Sequence, residues 1–207
     1  RMTSQINGLN MAVRNANDAI SMVQTADGAM VEVESMLQRM RELAIQSKTE
    51  TNSSTDRTAL NTEYMSLAAE IERVAQNTQW NGTDILDNTA GSGGSVTFQV
   101  GANASQTIAV DFGDFTQASG TFAAFLTGGS AGTTAAVIGG DKSLYDSDLS
   151  GAVTTAYINT AIGAIDTAIT AVNSQRATFG ASINRLEYAT DNLANVSQNT
   201  SASRSRI

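Results

Sequence analysis

Apolar residues recur at alternating steps of three and four along nearly the first fifty positions, and the 207-residue chain contains no proline. This heptad spacing places the apolar side chains on one side of an α-helix. Because proline breaks helix interiors, its absence permits unusually long helices. We predict a first helix over residues 3–48, about 70 Å long at 1.5 Å per residue. Its predicted seam is Ile6, Leu9, Val13, Ala16, Ile20, Val23, Met30, Val33, Leu37, Met40 and Ala44.

The two halves of this seam are out of phase by three residues at Asp27–Gly28. An insertion of three residues into a heptad pattern changes the winding of a helix pair locally. We therefore predict a phase slip at this point.

A second long helix of roughly 50 residues, about 75 Å, is predicted near the end of the chain. Arg176 and Thr190 are polar interruptions of its seam. Glycine costs about 1 kcal/mol relative to alanine in an exposed helix, so we expect close packing at Gly180. The apolar seam is Ile158, Ile162, Ile165, Ile169, Val172, Phe179, Ile183, Leu186 and Leu193.

A shorter helix is predicted between these two. The polar stretch 48–57 ends the first helix, and Ser54 or Thr55 is the expected N-cap of the next one. Asn81-Gly82 marks a turn that stops the short helix near 78–82. Its seam is Leu60, Tyr64, Leu67, Ile71 and Val74.

The middle of the chain changes to a period of two, with apolar residues at 96, 98 and 100 and again at 108, 110 and 112. This alternation predicts a β-hairpin. The following residues 113–151 are rich in Gly, Ala, Ser and Thr. The predicted fold is mainly α with a small β part: an elongated bundle of two long helices plus a shorter helix, with a β-hairpin. Its rod-like core spans 1–112 plus 152–207, and 113–151 is a small variable insertion.

The composition limits the chemistry that the chain can perform. It has no cysteine and no histidine, which removes thiolate nucleophiles, the commonest general base and the commonest metal ligands. Its net charge of −8 disfavours binding to nucleic acid. No stretch is long and apolar enough for membrane insertion. We therefore expect no enzyme activity and no cofactor, although chemistry based on carboxylates alone stays open.

Two acidic groups deserve comparison with known sites. Asp146 and Asp148, with Asp141 nearby, lack the glycine and glutamate that complete a calcium loop. Asp111 and Asp114 flank aromatic residues, but the end of a hairpin is the favoured interpretation. We predict neither a metal site nor a catalytic pair.

Five stretches of the sequence resemble bacterial flagellin, the subunit of the flagellar filament. Together they cover both helical arms, well over half of the chain, in the order and spacing of that family. The stretches are RNANDAISMVQTADGAM (14–30), MLQRMRELAIQS (36–47), AEIERVAQNTQWNGTDIL (69–86), TFQVGAN (97–103) and ATFGASINRLEYATDNLANVSQNTSASRSRI (177–207).

The resemblance implies a structural subunit that polymerises with identical copies. It also implies export through the flagellar apparatus with a chaperone, and an extracellular location in the filament. Flagellins have terminal segments that pair into the innermost tube. This chain begins and ends inside the family pattern, so we expect those segments to be absent and leave the polymerisation of this chain open.

The stretch QRMRELAIQS (38–47) has two interpretations. From the pattern alone, Leu37, Met40 and Ala44 form the seam, and the charged residues between them form a solvated face. The resemblance implies a surface that contacts the neighbouring subunit and is recognised by Toll-like receptor 5. On this hypothesis Arg39 donates hydrogen bonds and Leu43 is an apolar anchor. The predicted interface is Gln38, Arg39, Arg41, Glu42, Leu43, Gln46 and, from the second helix, Glu63.

Three other functions stay open on the sequence. The first is a hook–filament junction protein, which shares the helical arms of flagellin. The second is a cell-surface module that binds polysaccharide through the middle region. The third is a carboxylate-only enzyme such as one that cleaves glycans, which needs two carboxylates in a cleft. A rod with a thin insertion offers no obvious cleft.

Overall fold

The computed structural model describes residues 2–49, 51–116 and 155–206. Within these ranges the chain forms three helices and two small antiparallel strand pairs, which confirms the predicted fold class. The elements are α1 (Met2–Lys48), α2 (Ser54–Asn77), β1 (Gln79–Trp80), β2 (Thr83–Asp84), β3 (Ser95–Gln99), β4 (Thr107–Asp111) and α3 (Thr155–Ser205).

The two long helices lie side by side in opposite directions. Residues near the start of α1 contact residues near the end of α3, and residues near the end of α1 contact the start of α3. Ser197 bonds Asn10, and Arg41 bonds Asp166. Met2 and Arg206 therefore lie at the same end of the rod. At 1.5 Å per residue, α3 alone is about 75 Å long.

The buried row of α1 continues without a phase slip, so the slip predicted at Asp27–Gly28 is wrong. The row passes through Ala12, Ala19 and Ala26, each at most 1% exposed. Alanine is buried here because small side chains allow the two long helices to approach closely. The complete row is Leu9, Ala12, Ala16, Ala19, Val23, Ala26, Met30, Val33, Leu37, Met40, Ala44 and Ser47.

Helix α3 has the same kind of seam, in which isoleucine, valine, leucine or phenylalanine alternates with small residues. Every second residue of the predicted α3 seam is instead half-buried and flanks this buried row. Arg176 and Thr190 are among them, so neither interrupts the buried row. The buried residues are Ile158, Ala161, Ile165, Ala168, Val172, Phe179, Ser182, Leu186 and Leu193. The flanking residues are Ile162, Ile169, Arg176, Ile183 and Thr190.

Close packing does not explain Gly180, contrary to the expectation. A Cβ added there would have no described neighbour within 4 Å.

Helix α2 begins one residue earlier than predicted. Its N-cap is Ser53, whose hydroxyl accepts from the backbone N–H of Asp56, while the Asp56 carboxylate accepts from the backbone N–H of Ser53. This capping box satisfies two amide groups that the first turn leaves free. The helix ends at Asn77, and Asn81 (φ 48°) and Gly82 (φ 77°) form the predicted turn, since two positive φ angles suit a tight hairpin.

The predicted β-hairpin is present as β3 and β4, with Val96 opposite Val110 and Phe98 opposite Ile108. It is attached to both long helices. Phe112, directly after β4, packs on Phe179 of α3 with ring centroids 5.7 Å apart.

Packed structure continues beyond the hairpin to Thr116. The backbone N–H of Phe115 donates to the carbonyl oxygen of Leu86 (2.9 Å), and Phe115 is buried. Asp111 and Asp114 accept backbone N–H bonds from residues two positions later, in keeping with a hairpin end. Most of the predicted insertion 113–151, including the candidate cation ligands Asp141, Asp146 and Asp148, lies outside the described residues.

Candidate interaction surface

Arg39 lies at the centre of the predicted interface, on the side of α1 that faces α2. Its Nε donates to Oε1 of Glu63 at 2.8 Å, and its Nη1 donates to Oε2 of Glu42 at 3.1 Å. These hydrogen bonds, first that to Glu63, raise the pKa of Arg39. The three side chains are between 45% and 69% exposed. Solvent therefore screens their attraction, and the bonds chiefly hold the guanidinium in one orientation.

Arg41 lies on the opposite flank of α1 and contacts α3. Its Nε donates to Oδ1 of Asp166 at 2.7 Å, and this bond raises the pKa of Arg41. Two arginines only two positions apart thus connect α1 to different helices. The predicted interface therefore divides between the α1–α2 side and the α1–α3 side.

Leu43 is fully buried and does not lie on the surface, so the expectation of an exposed apolar anchor at Leu43 is wrong. The reason is that α1 packs against both α2 and α3 at this level, which buries a wider stripe than a single seam. Ile45, which is 46% exposed, is the large apolar side chain that this part of α1 presents to solvent.

The remaining predicted residues are exposed. The amide Nε2 of Gln38 donates to Glu34 at 3.5 Å. The backbone oxygen of Gln46 accepts from the Asn52 side chain at 2.6 Å, in the turn between α1 and α2. The structure therefore assembles Gln38, Arg39, Glu42, Gln46 and Glu63 as exposed polar groups, with Leu43 beneath the surface.

A second charged cluster was not predicted as a site. Arg176 of α3 donates from Nε to Asp27 (3.0 Å) and from Nη1 to Glu34 (2.7 Å). The bond to Asp27 contributes most to raising the pKa of Arg176. The seven-residue spacing of Asp27 and Glu34 is the signal that could have revealed it, since it places both on one face of α1.

Two classes of site receive no support from the described part of the chain. No group of three or more His, Cys, Asp or Glu residues there is arranged to hold a metal ion. No helix there has the length and apolar character needed to cross a membrane.

Family models match both arms of the rod. The bacterial flagellin N-terminal helical region matches residues 1–91, and the bacterial flagellin C-terminal helical region matches residues 162–207. The matched segments contain α1, α2 and most of α3.

Individual relatives agree with these matches. A flagellin of Halalkalibacterium halodurans is 40% identical over 209 residues, which cover 100% of this chain and 66% of that protein. Flagellin B of Vibrio cholerae is 47% identical over 113 residues, 55% of this chain and 29% of that protein. This chain thus spans just under two thirds of the first relative and less than a third of the second.

A solved structure supports the same assignment. The crystal structure of Bacillus cereus flagellin is similar with a TM-score of 0.65 and 32% identity, covering 87% of this chain and 88% of that one. Sequence and structure both assign this chain to the bacterial flagellin family.

Proposed function

We propose that this chain is the rod-forming part of a structural subunit of the bacterial flagellar filament and polymerises with identical copies. The observation that carries the proposal is the uninterrupted antiparallel pair of α1 and α3, helices of 47 and 51 residues. Such a rod presents long lateral surfaces to its neighbours. Identical rods that contact each other head to tail or side to side generate a helical assembly.

Several large apolar side chains on the rod are available for contacts between copies. They occur on both long helices rather than in one segment of the chain. An exposed apolar side chain contributes to association when a neighbouring subunit removes it from water. These residues are Met2, Met11, Val31, Ile45, Tyr188 and Val196, each at least 36% exposed.

The same proposal includes export through the flagellar apparatus with a chaperone, and an extracellular location in the filament. Its partners in the filament are identical flagellin subunits. The names of the relatives support flagellin over the hook–filament junction protein, and nothing in the described residues favours a polysaccharide-binding module.

Seeded assembly tests the proposal. The full-length protein is incubated with fragments of its own filament, and growth is followed by light scattering and negative-stain electron microscopy. We expect tubes that lengthen from the seeds. Protein that stays monomeric in the presence of intact seeds would contradict the proposal.

We further propose that the exposed polar groups Gln38, Arg39, Glu42, Gln46 and Glu63 bind Toll-like receptor 5. Arg41, on the opposite flank of α1, is not part of this cluster. Support comes from the orientation of Arg39, which Glu63 and Glu42 hold at the surface. An arginine fixed before binding loses less conformational freedom in the complex, and arginine is enriched among residues that dominate interface energies. Leu43 has no direct role in this proposal because it is buried.

Binding to the receptor ectodomain and activation of reporter cells test this surface. We expect the Arg39→Ala, Glu63→Ala double variant to bind roughly tenfold more weakly, a change of about 1.4 kcal/mol. Arg73→Ala is the matched control, because Arg73 is an exposed arginine that bonds Glu70 on α2. Undiminished activation by the double variant, with native helix content, would contradict the proposal.

A further inference from the structure

The seam between α1 and α3 repeats small residues at heptad spacing. Ala12, Ala19 and Ala26 on α1 resemble one another, as do Ala161 and Ala168 on α3. Along these alanine rows, a slide of seven residues brings side chains of the same size together again, whereas Val33 and Met40 continue the α1 row with larger side chains. The packing of these small residues therefore specifies the register of the pair, that is, the axial alignment of α1 and α3, only weakly.

The charged groups beside the seam on α1 also recur every seven residues, but their sign changes from acidic at Asp27 and Glu34 to basic at Arg41 and Lys48. Arg176 lies between Asp27 and Glu34 and bonds both, at 3.0 and 2.7 Å. The Glu34 side chain is only 19% exposed and that of Arg176 33%. Arg41 and Asp166 form a second pair between the same helices at 2.7 Å.

A slip of one heptad is unfavourable for these charges in either direction. In one direction Arg176 keeps Glu34 but moves from Asp27 to the level of Arg41, a like charge, while Asp166 exchanges Arg41 for Lys48. In the other direction Arg176 keeps Asp27 but loses Glu34 and lies near Ile20, while Asp166 moves to the level of Glu34. Each slip thus removes one ion pair of Arg176 and brings like charges together, at positions where partial burial reduces screening.

We propose that Arg176, Asp27 and Glu34 form a register clamp, which selects one of the heptad-related alignments of α1 and α3 that the small-residue seam permits. The best-supported role of a polar group between paired helices is to fix their alignment. Such a group adds little to stability. The clamp acts within one subunit and does not depend on filament assembly.

The hairpin is the competing source of register. Gln175, next to Arg176, donates to the backbone oxygen of Asp111 at 2.7 Å, and Asn15 of α1 donates to that of Gln99 at 3.1 Å. These bonds connect each long helix to the hairpin. Gln175→Ala therefore makes a matched control, because it removes the neighbouring contact to the hairpin and leaves the clamp intact.

Spin-label distances measure the register directly. The chain has no cysteine, so cysteines introduced at the exposed positions Ser35 and Asn195 are labelled alone. Because Ser197 bonds Asn10 and a helix rises 1.5 Å per residue, the labels lie about 35 Å apart along the rod. A slip of one heptad changes this separation by about 10 Å.

We expect one distance in the labelled parent and in Gln175→Ala. In Arg176→Gln, and in Asp27→Asn with Glu34→Gln, we expect a second component displaced by about 10 Å. Reversing all three charges together (Arg176→Glu, Asp27→Arg, Glu34→Arg) should restore the single distance.

Three results would overturn the proposal. The first is a single native distance in both clamp variants at native helix content. The second is loss of helix content in both, which would make the cluster a source of stability rather than of register. The third is a displaced component in Gln175→Ala alone, which would assign the register to the hairpin.

Discussion

The guanidinium Nε of Arg39 on α1 lies 2.8 Å from Oε1 of Glu63 on α2, which joins the two helices at the surface. Both side chains are nearly half exposed. Because water and salt screen such a pair, we expect Arg39→Ala to leave the free energy of unfolding almost unchanged. Urea denaturation measures this, with Glu63→Gln as the reciprocal variant. A large loss of stability in either would show that the pair holds α2 on the rod.

Removal of the buried Tyr64 hydroxyl is predicted to increase the stability of the chain. Tyr64 is fully buried, and its hydroxyl has no hydrogen-bond partner among the described residues. An unpaired buried polar group costs roughly 1–3 kcal/mol. We therefore expect Tyr64→Phe to raise the free energy of unfolding by about 1 kcal/mol, measured by urea denaturation. Tyr188→Phe is the control, since Tyr188 is 77% exposed. A destabilised Tyr64→Phe variant would reveal a bond to that hydroxyl.

The same residue predicts a dependence on alkaline pH. Burial raises the pKa of Tyr64 well above its usual value of 10. Above pH 10 the unfolded chain therefore loses this proton while the folded chain keeps it, so stability falls as pH rises. The loss from this group is roughly 1.4 kcal/mol between pH 9 and 11. Unfolding free energies of the parent and Tyr64→Phe at both pH values isolate it, and equal losses in the two proteins would contradict the assignment.

The glycines in this chain differ in whether alanine can replace them without strain. At Gly180 in α3, an added methyl group has open space among the described residues. Gly180→Ala should therefore stabilise the chain by about 1 kcal/mol through helix propensity. At Gly91, φ is +61° and a Cβ would collide with the backbone oxygen of Ser95. Gly91→Ala should therefore destabilise the chain by roughly 1–3 kcal/mol. Thermal unfolding compares the two, and similar shifts in both would contradict the packing described.

The long helices were predictable because isoleucine, leucine, valine and methionine mark their repeat so strongly. The alanine rows were not, because alanine occurs equally on surfaces and in cores, and its burial depends on how closely a partner helix approaches. Following the larger residues Val13 and Ile20 led to a phase slip that does not exist. The N-cap was missed by one residue because Ser53 and Ser54 are both good caps, and only the path of the chain after α1 decides between them.

The interaction surface was only partly predictable. The resemblance to flagellin selected Arg39 and Glu63 together, and the structure brings them into contact. The resemblance also selected Leu43. Sequence spacing could not identify Leu43 as a core residue, because its burial depends on the packing of α2 against α1. Membership of a family of structural proteins confirms the interpretation that the chain is not an enzyme.

Two long helices form a rod able to pack against its copies, and small-angle scattering with sedimentation tests this shape most directly. A rod with α3 at full length has a maximum dimension of about 75 Å or more. A compact domain of this length would instead have a radius of gyration near 17 Å. We predict an elongated particle with a radius of gyration clearly above that value. A compact particle would contradict the rod and, with it, the proposed role in the filament.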